Sequence, residues 1–252
     1  MHCPVDRQAQ ANCQSLLQVV ERLIEEKGIV SFNFSDIAKV AGVSPDTVDA
    51  LFESKEDLLL CLFLRSAAGG DMEGVLSRYP HLSAQERFLI PMISVLEMAS
   101  RNRTFMALYS ISANSKVWPL ASCDRVDRLR ERANRFIELI HRLANQAREA
   151  GELQESDERL RLLAQMVYFQ LYGQATAYES RLVNKLDEQR RSRVQMESIL
   201  TIVNAFHWNV PVDEPLYLKL AELVSRHIDH HGDDICSCSR CLTANPPSGR
   251  QA

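Results

Sequence analysis

The chain has 252 residues, 46% hydrophobic and 25% charged, a balance that can bury a sizeable core in one or two domains. Its net charge is −4, and residues 1–60 hold five bases against ten acids, which argues against a general, charge-driven nucleic-acid binder. No apolar run reaches the roughly 18 residues of a membrane span, and MHCPVDRQAQ lacks the basic start and apolar stretch of a signal peptide. Seven cysteines in a mostly helical chain fit a reduced, cytoplasmic protein.

Residues 10–27 read as a first helix, with Leu16, Leu17, Val20, Leu23 and Ile24 on an i, i+3, i+4 stripe and Gly28 at its end. In the next stretch, NFSDIAKVAGVSPDTVDALFESKEDLLL over 33–60, two short helical patterns meet at a glycine. Asn33 caps the first, with Asp36 three residues on closing a capping box, and Ile37, Ala38 and Ala41 share one apolar stripe. Gly42 supplies the permissive backbone for a sharp turn, and Val43 plugs the angle. Ser44 caps the second helix with Pro45 at its first position; Val48, Leu51 and Phe52 form its inward face. Ser54 then caps a third helix. This order is a helix-turn-helix.

The segment DIAKVAGVSPDTVDALFESKEDLL resembles the DNA-binding segment of TetR-type (tetracycline-repressor-like) bacterial regulators. The matching residues are Asp36-Ile37-Ala38, Ala41-Gly42-Val43-Ser44, Thr47, Phe52, Ser54-Lys55 and Leu58-Leu59, within roughly 11–62. The resemblance implies an all-α fold: an N-terminal three-helix helix-turn-helix module followed by a larger helical ligand-binding and dimerisation domain. The division expected is 8–60 for the DNA-binding domain, 61–231 for the helical domain and 232–252 for a Cys-rich tail. The implied function is a DNA-binding transcriptional regulator, a repressor released by a small molecule, working as a homodimer on double-stranded operator DNA. By the same resemblance Ser44, Thr47 and Lys55 hold phosphates, while Pro45, Asp46 and Asp49 face the groove. A carboxylate can accept from cytosine N4, so Asp46 and Asp49 either read bases or form a solvated face matched to the helix dipole. Residues 28–60 carry Lys39 and Lys55 against Asp36, Asp46, Asp49, Glu53, Glu56 and Asp57, a net −4. That charge supports a second reading, a TetR-like dimer with weakened DNA binding that acts through protein or metal contacts.

From Lys55 a helical pattern runs toward Arg78, weakened at Gly69-Gly70 and Gly74, where it either softens into a hinge or, as favoured, stops near Ala68 and restarts. Helices are expected over 84–100 with a kink at Pro91, 103–113, 122–150, 157–182, 190–208 and 214–230. Arg125, Arg128, Arg132, Arg135, Arg142 and Arg148 are assigned to an outer face of 122–150, ion-paired with interleaved Glu131, Glu138 and Glu149. The 157–182 pattern is apolar on more than one face, so both faces should be buried. The resemblance implies that the helices at 157–182 and 190–208 form the dimer interface. It also implies a pocket for a hydrophobic effector, with Met92, Leu96, Met106, Tyr109, Trp118, Phe136, Tyr168 and Tyr172 as candidates that could equally be plain core.

Near the C-terminus, HIDHHGDDICSCSRC gathers thiols and imidazoles suited to zinc, with Cys236, Cys238, Cys241 and His231 as the candidate ligands. The alternative is a reduced, partly flexible tail. No enzyme constellation is present: there is no glycine-rich phosphate loop, no G-x-S-x-G elbow and no H-E-x-x-H. Cys61 and Cys123 are expected on apolar faces.

Overall fold

A computed structural model describes residues 7–68, 72–102, 104–180, 182–183, 185–186 and 188–231. Every extended element among them is a helix; the one β-bridge, Leu153 to Trp208, is isolated. No helix among the described residues is long and apolar enough to cross a membrane.

Contacts divide the chain into two compact units. The first joins residues 7–68 to 104–131. It begins with α1 (Arg7–Lys27), whose sequence stripe is buried as expected, Val20 completely so. Then come α2 (Phe34–Ala41), α3 (Pro45–Asp49) and α4 (Lys55–Ala68), with α1 packed on α2 and α2 on α3. The glycine after Ala68 falls outside the described residues, and helix resumes at α5 (Met72–Arg78) in the other unit. Within the first unit, α7 (Phe105–Ser112) lies along α4, and Phe63 meets the rings of Phe105 and Tyr109 at 5.5 and 5.8 Å.

The second unit joins 72–102 to 132–231 and holds α5, α6 (Ala84–Arg101), most of α8 (Cys123–Glu149), α9 (Asp157–Ser180), α10 (Arg191–Asn204) and α11 (Glu214–His231). Ser83 and Glu86 close a capping box at the start of α6, which runs with Pro91 inside it. Pro91 costs one backbone hydrogen bond there, offset by a helix almost wholly buried from Phe88 to Leu96. Gly151, at φ 73°, ends α8 as its position predicts. One core cluster binds the unit, including Phe88, Ile140, Leu163, Val167, Ile199, Trp208 and Leu220.

Several expectations for α8 and α9 need correction. Arg125 is buried at 3% exposure rather than outward, and Arg132 is half-buried. Arg142 pairs with Glu73 and Arg148 with Asp157, neither of which is among the glutamates interleaved on the helix. Cys123 is exposed, whereas Cys61 is buried as expected. On α9, one face is core but Leu162 and Phe169 stand 41% and 67% exposed in the single chain.

Candidate nucleic-acid interface

The helix-turn-helix is fixed by local chemistry. Asn33 Oδ1 accepts from the Asp36 amide at 3.0 Å, and Asp36 Oδ2 accepts from the Asn33 amide at 3.1 Å, so the expected capping box is complete. Gly42 takes the left-handed conformation at φ 67°, and Val43 donates to the Ala38 carbonyl at 3.0 Å, closing α2. No atom crowds a Cβ at Gly42, so the demand there is on the backbone alone. Gly42→Ala is therefore expected to cost about 1–2 kcal/mol, read as a lowered midpoint in urea with an unchanged slope.

Ser44 Oγ accepts from the Thr47 amide at 3.3 Å and lies 3.0 Å from Thr47 Oγ1, so both hydroxyls gather at the start of α3. Only Val48 of α3 is fully buried. Ser44, Pro45, Asp46 and Asp49 are all exposed, and Thr47 is half-buried. One turn of helix thus anchors through Val48 and presents its remaining side chains outward.

Lys55 is placed differently. Its Nζ donates to the carbonyls of Val30 and Phe32, both at 2.8 Å, and sits 4.1 Å over the Phe32 ring. Burial lowers its pKa from the ordinary lysine value, with Glu56 pulling it back up. The ammonium ties the loop before α2 to the start of α4.

The net −4 of residues 28–60 overstates the acidity of this surface. Asp57 is completely buried, and its partners come from beyond α4. Asp57 Oδ1 accepts from the Ser122 amide at 3.0 Å and from Ser122 Oγ at 2.6 Å. Its Oδ2 accepts from the Glu53 amide at 3.1 Å and pairs with Arg125 Nη1. Arg125 also donates to the Leu51 carbonyl at 3.0 Å and lies 5.0 Å over the Phe52 ring. Asp36 is engaged too, in its capping box and 3.6 Å from Lys27. Of the remaining acids on this segment, Asp46 and Asp49 stand exposed on α3.

Sequence reasoning missed Arg125, although a signal existed. Arg125, Leu129, Arg132, Phe136, Ile140, Leu143 and Ala147 follow one i+3/i+4 ladder, and its apolar members are buried. An arginine on that ladder must enter the core with a partner. In the second unit Arg132 does so near Tyr172: burial lowers its pKa, and Tyr172 counters that shift. Burial likewise raises the Tyr172 hydroxyl above the usual phenol range.

The candidate effector residues separate. Phe136, Tyr168 and Tyr172 form an aromatic cluster, with centroids 4.6 Å apart for the tyrosine pair and 6.3 and 6.2 Å from Phe136. Met92 and Leu96 belong to the same core. Met106, Tyr109 and Trp118 lie in the first unit; Trp118 donates to the Ser112 carbonyl at 2.8 Å and is covered by Arg130. Leu96 also lines a surface cleft of about 330 Å³ bounded by α6, α10 and α11, which no sequence pattern indicated. No group of potential metal ligands occurs among the described residues. Cys236, Cys238 and Cys241, and the side chain of His231, lie outside them.

Residues 16–62 match the model of the family described as bacterial regulatory proteins, tetR family. No curated protein sequence matches the chain. Among solved structures, the transcriptional regulator FadR from Bacillus subtilis, in complex with stearoyl-CoA, is 18% identical and has a TM-score of 0.59. The match covers 77% of this chain and 98% of that one. A TetR/AcrR-family transcriptional regulator from Thermobifida fusca is 19% identical with a TM-score of 0.57, over 78% and 99% of the two chains. The fatty acid degradation regulator FadR from Bacillus halodurans is 21% identical with a TM-score of 0.54, over 73% and 96%. At these identities the likeness is one of fold.

Proposed function

Because the chain has the fold of the TetR-family transcriptional regulators and carries that family's N-terminal module in residues 16–62, we propose that it is a homodimeric repressor released from operator DNA by a small apolar ligand. Residues 8–60 read DNA, and the helices of 61–231 bind the effector and dimerise. The observation that carries the reading is the outward face of α3, where Ser44, Pro45, Asp46 and Asp49 stand exposed on a turn fixed by Gly42 and two capped helices. Thr47 and Ser44 offer hydroxyls to phosphate, Lys55 adds positive charge nearby, and Asp46 and Asp49 face base edges that can donate. Release is a population shift: ligand favours a spacing of the two α3 helices that no longer fits the operator. The aromatic cluster of Phe136, Tyr168 and Tyr172 suits an apolar effector, and the stearoyl-CoA held by the B. subtilis regulator makes acyl chains the class to screen first.

Selection of random duplex DNA on the purified protein, at low and near-physiological salt, tests this reading. The expected product is a palindrome with half-sites about one helical turn, roughly 34–36 Å, apart. Asp49→Ala should change base preference at one position of each half-site, whereas Lys55→Ala, which frees the loop that its ammonium ties down, should weaken all sequences alike with little change in salt slope. No enriched sequence from ligand-free protein would overturn the proposal.

A further inference from the structure

The cleft of about 330 Å³ among α6, α10 and α11 is at the small end of small-molecule sites, roughly 300–1,000 Å³. Ile93, Leu96 and Met196 give it an apolar lining. Two polar side chains that line it are more than nine-tenths buried: Gln195, 7% exposed, and Tyr217, 8% exposed. Neither the Gln195 carboxamide nor the Tyr217 hydroxyl has a hydrogen-bond partner among the described residues. Both polar groups reach the cleft, where a bound ligand can take the place of water.

The charge that lines the cleft is mixed, with acids in excess by one. Glu97 and Glu214 line it, and Arg193 is its one lining base. Arg193 Nε is already held by Glu197 at 2.7 Å. Glu97 shares Arg101 with Asp229, at 2.8 and 2.5 Å. Burial pushes the Tyr217 phenol up to about 12, and Glu97 adds to the shift, so the hydroxyl stays neutral and able to accept.

We propose that this cleft binds a small amphiphile whose protonated amine is received by Gln195, Tyr217 and the Glu97 and Glu214 carboxylates while its short apolar chain lies on Ile93, Leu96 and Met196. A carboxylate of the same size would add a third acid to a lining of two acids and one base, so it is disfavoured. The site is separate from the Phe136–Tyr168–Tyr172 cluster, and its occupancy does not depend on DNA binding.

Calorimetric titration of the full-length protein with n-hexylamine and n-decylamine, and with hexanoate and decanoate, tests the proposal. At least one amine should bind at least tenfold more tightly than the acid of equal chain length. Gln195→Leu should weaken the amine at least fivefold, and Ala221→Trp, which fills the cleft from α11, should abolish binding while far-ultraviolet circular dichroism stays unchanged. Absence of binding by both amines would overturn the proposal. So would equal binding of amine and acid, or undiminished binding by the folded Gln195→Leu and Ala221→Trp proteins. Because no readout involves DNA, failure here is distinct from failure of the regulator reading.

Discussion

Arg125→Ala and Asp57→Ala will each lower the unfolding free energy by about 3–5 kcal/mol, the cost of leaving one member of a buried ion pair without the other. The expectation rests on burial, at 3% and 0% exposure, and on how completely the carboxylate is used. Asp57 accepts from Ser122, Glu53 and Arg125, and Arg125 returns a hydrogen bond to the Leu51 carbonyl. The pair therefore joins the start of α8 to the segment that leaves α3. Removing one charge strands the other in a site closed to water. Removing both is different, because the double variant Asp57→Leu, Arg125→Met leaves no buried charge, and it should be more stable than either single variant. Urea unfolding at one fixed protein concentration measures all three, since dimerisation would otherwise shift the midpoints. Single-variant costs below about 1 kcal/mol would show that the pair is open to solvent.

The same pair marks where sequence stops being informative. The helix-turn-helix was legible because its determinants act over three or four residues: a capping box at Asn33 and Asp36, a left-handed glycine at 42, a Ser-Pro helix start at 44 and 45. Each is a local hydrogen bond or a φ preference, and each is found where its residues stand. Asp57 and Arg125 are 68 positions apart, and nothing local tells an arginine on α8 which carboxylate will meet it. Composition made Asp57 one of six acids on the helix-turn-helix segment; the fold makes it an internal strut with no charge at the surface. Lys55 has the converse history, since the resemblance to TetR-type regulators implies phosphate contact but its ammonium is spent largely on the Val30 and Phe32 carbonyls. The α6–α10–α11 cleft was illegible for a related reason. Its lining comes from residues 93–100, 192–196 and 214–221, three stretches that only tertiary packing brings together.

In the proposed homodimer, Phe169→Glu is expected to give a monomer that keeps its fold. Leu162, Met166, Phe169 and Gly173 follow an i, i+4, i+7, i+11 path on α9, and Phe169 and Leu162 are exposed in the single chain at 67% and 41%. Val194 on α10 adds an exposed apolar residue. A helix apolar on two faces satisfies only one of them inside its own chain, so the outer stripe of α9 is the surface a second copy would cover. In a two-fold dimer every change acts twice. Losing the burial of one phenylalanine costs about 2 kcal/mol per protomer, about 4 kcal/mol per dimer, before the added cost of desolvating two carboxylates. At about 1.4 kcal/mol per factor of ten, the dimer dissociation constant rises at least about a thousandfold. Phe169→Leu keeps an apolar contact and should remain dimeric. Sedimentation equilibrium separates the two variants, and circular dichroism confirms that the monomer stays helical, because an exposed side chain contributes little to the fold of its own chain. Operator affinity should fall with dimerisation, since one α3 reads only one half-site. An unchanged molecular weight for Phe169→Glu would exclude α9 as the interface, and the exposed stripe would then need another occupant.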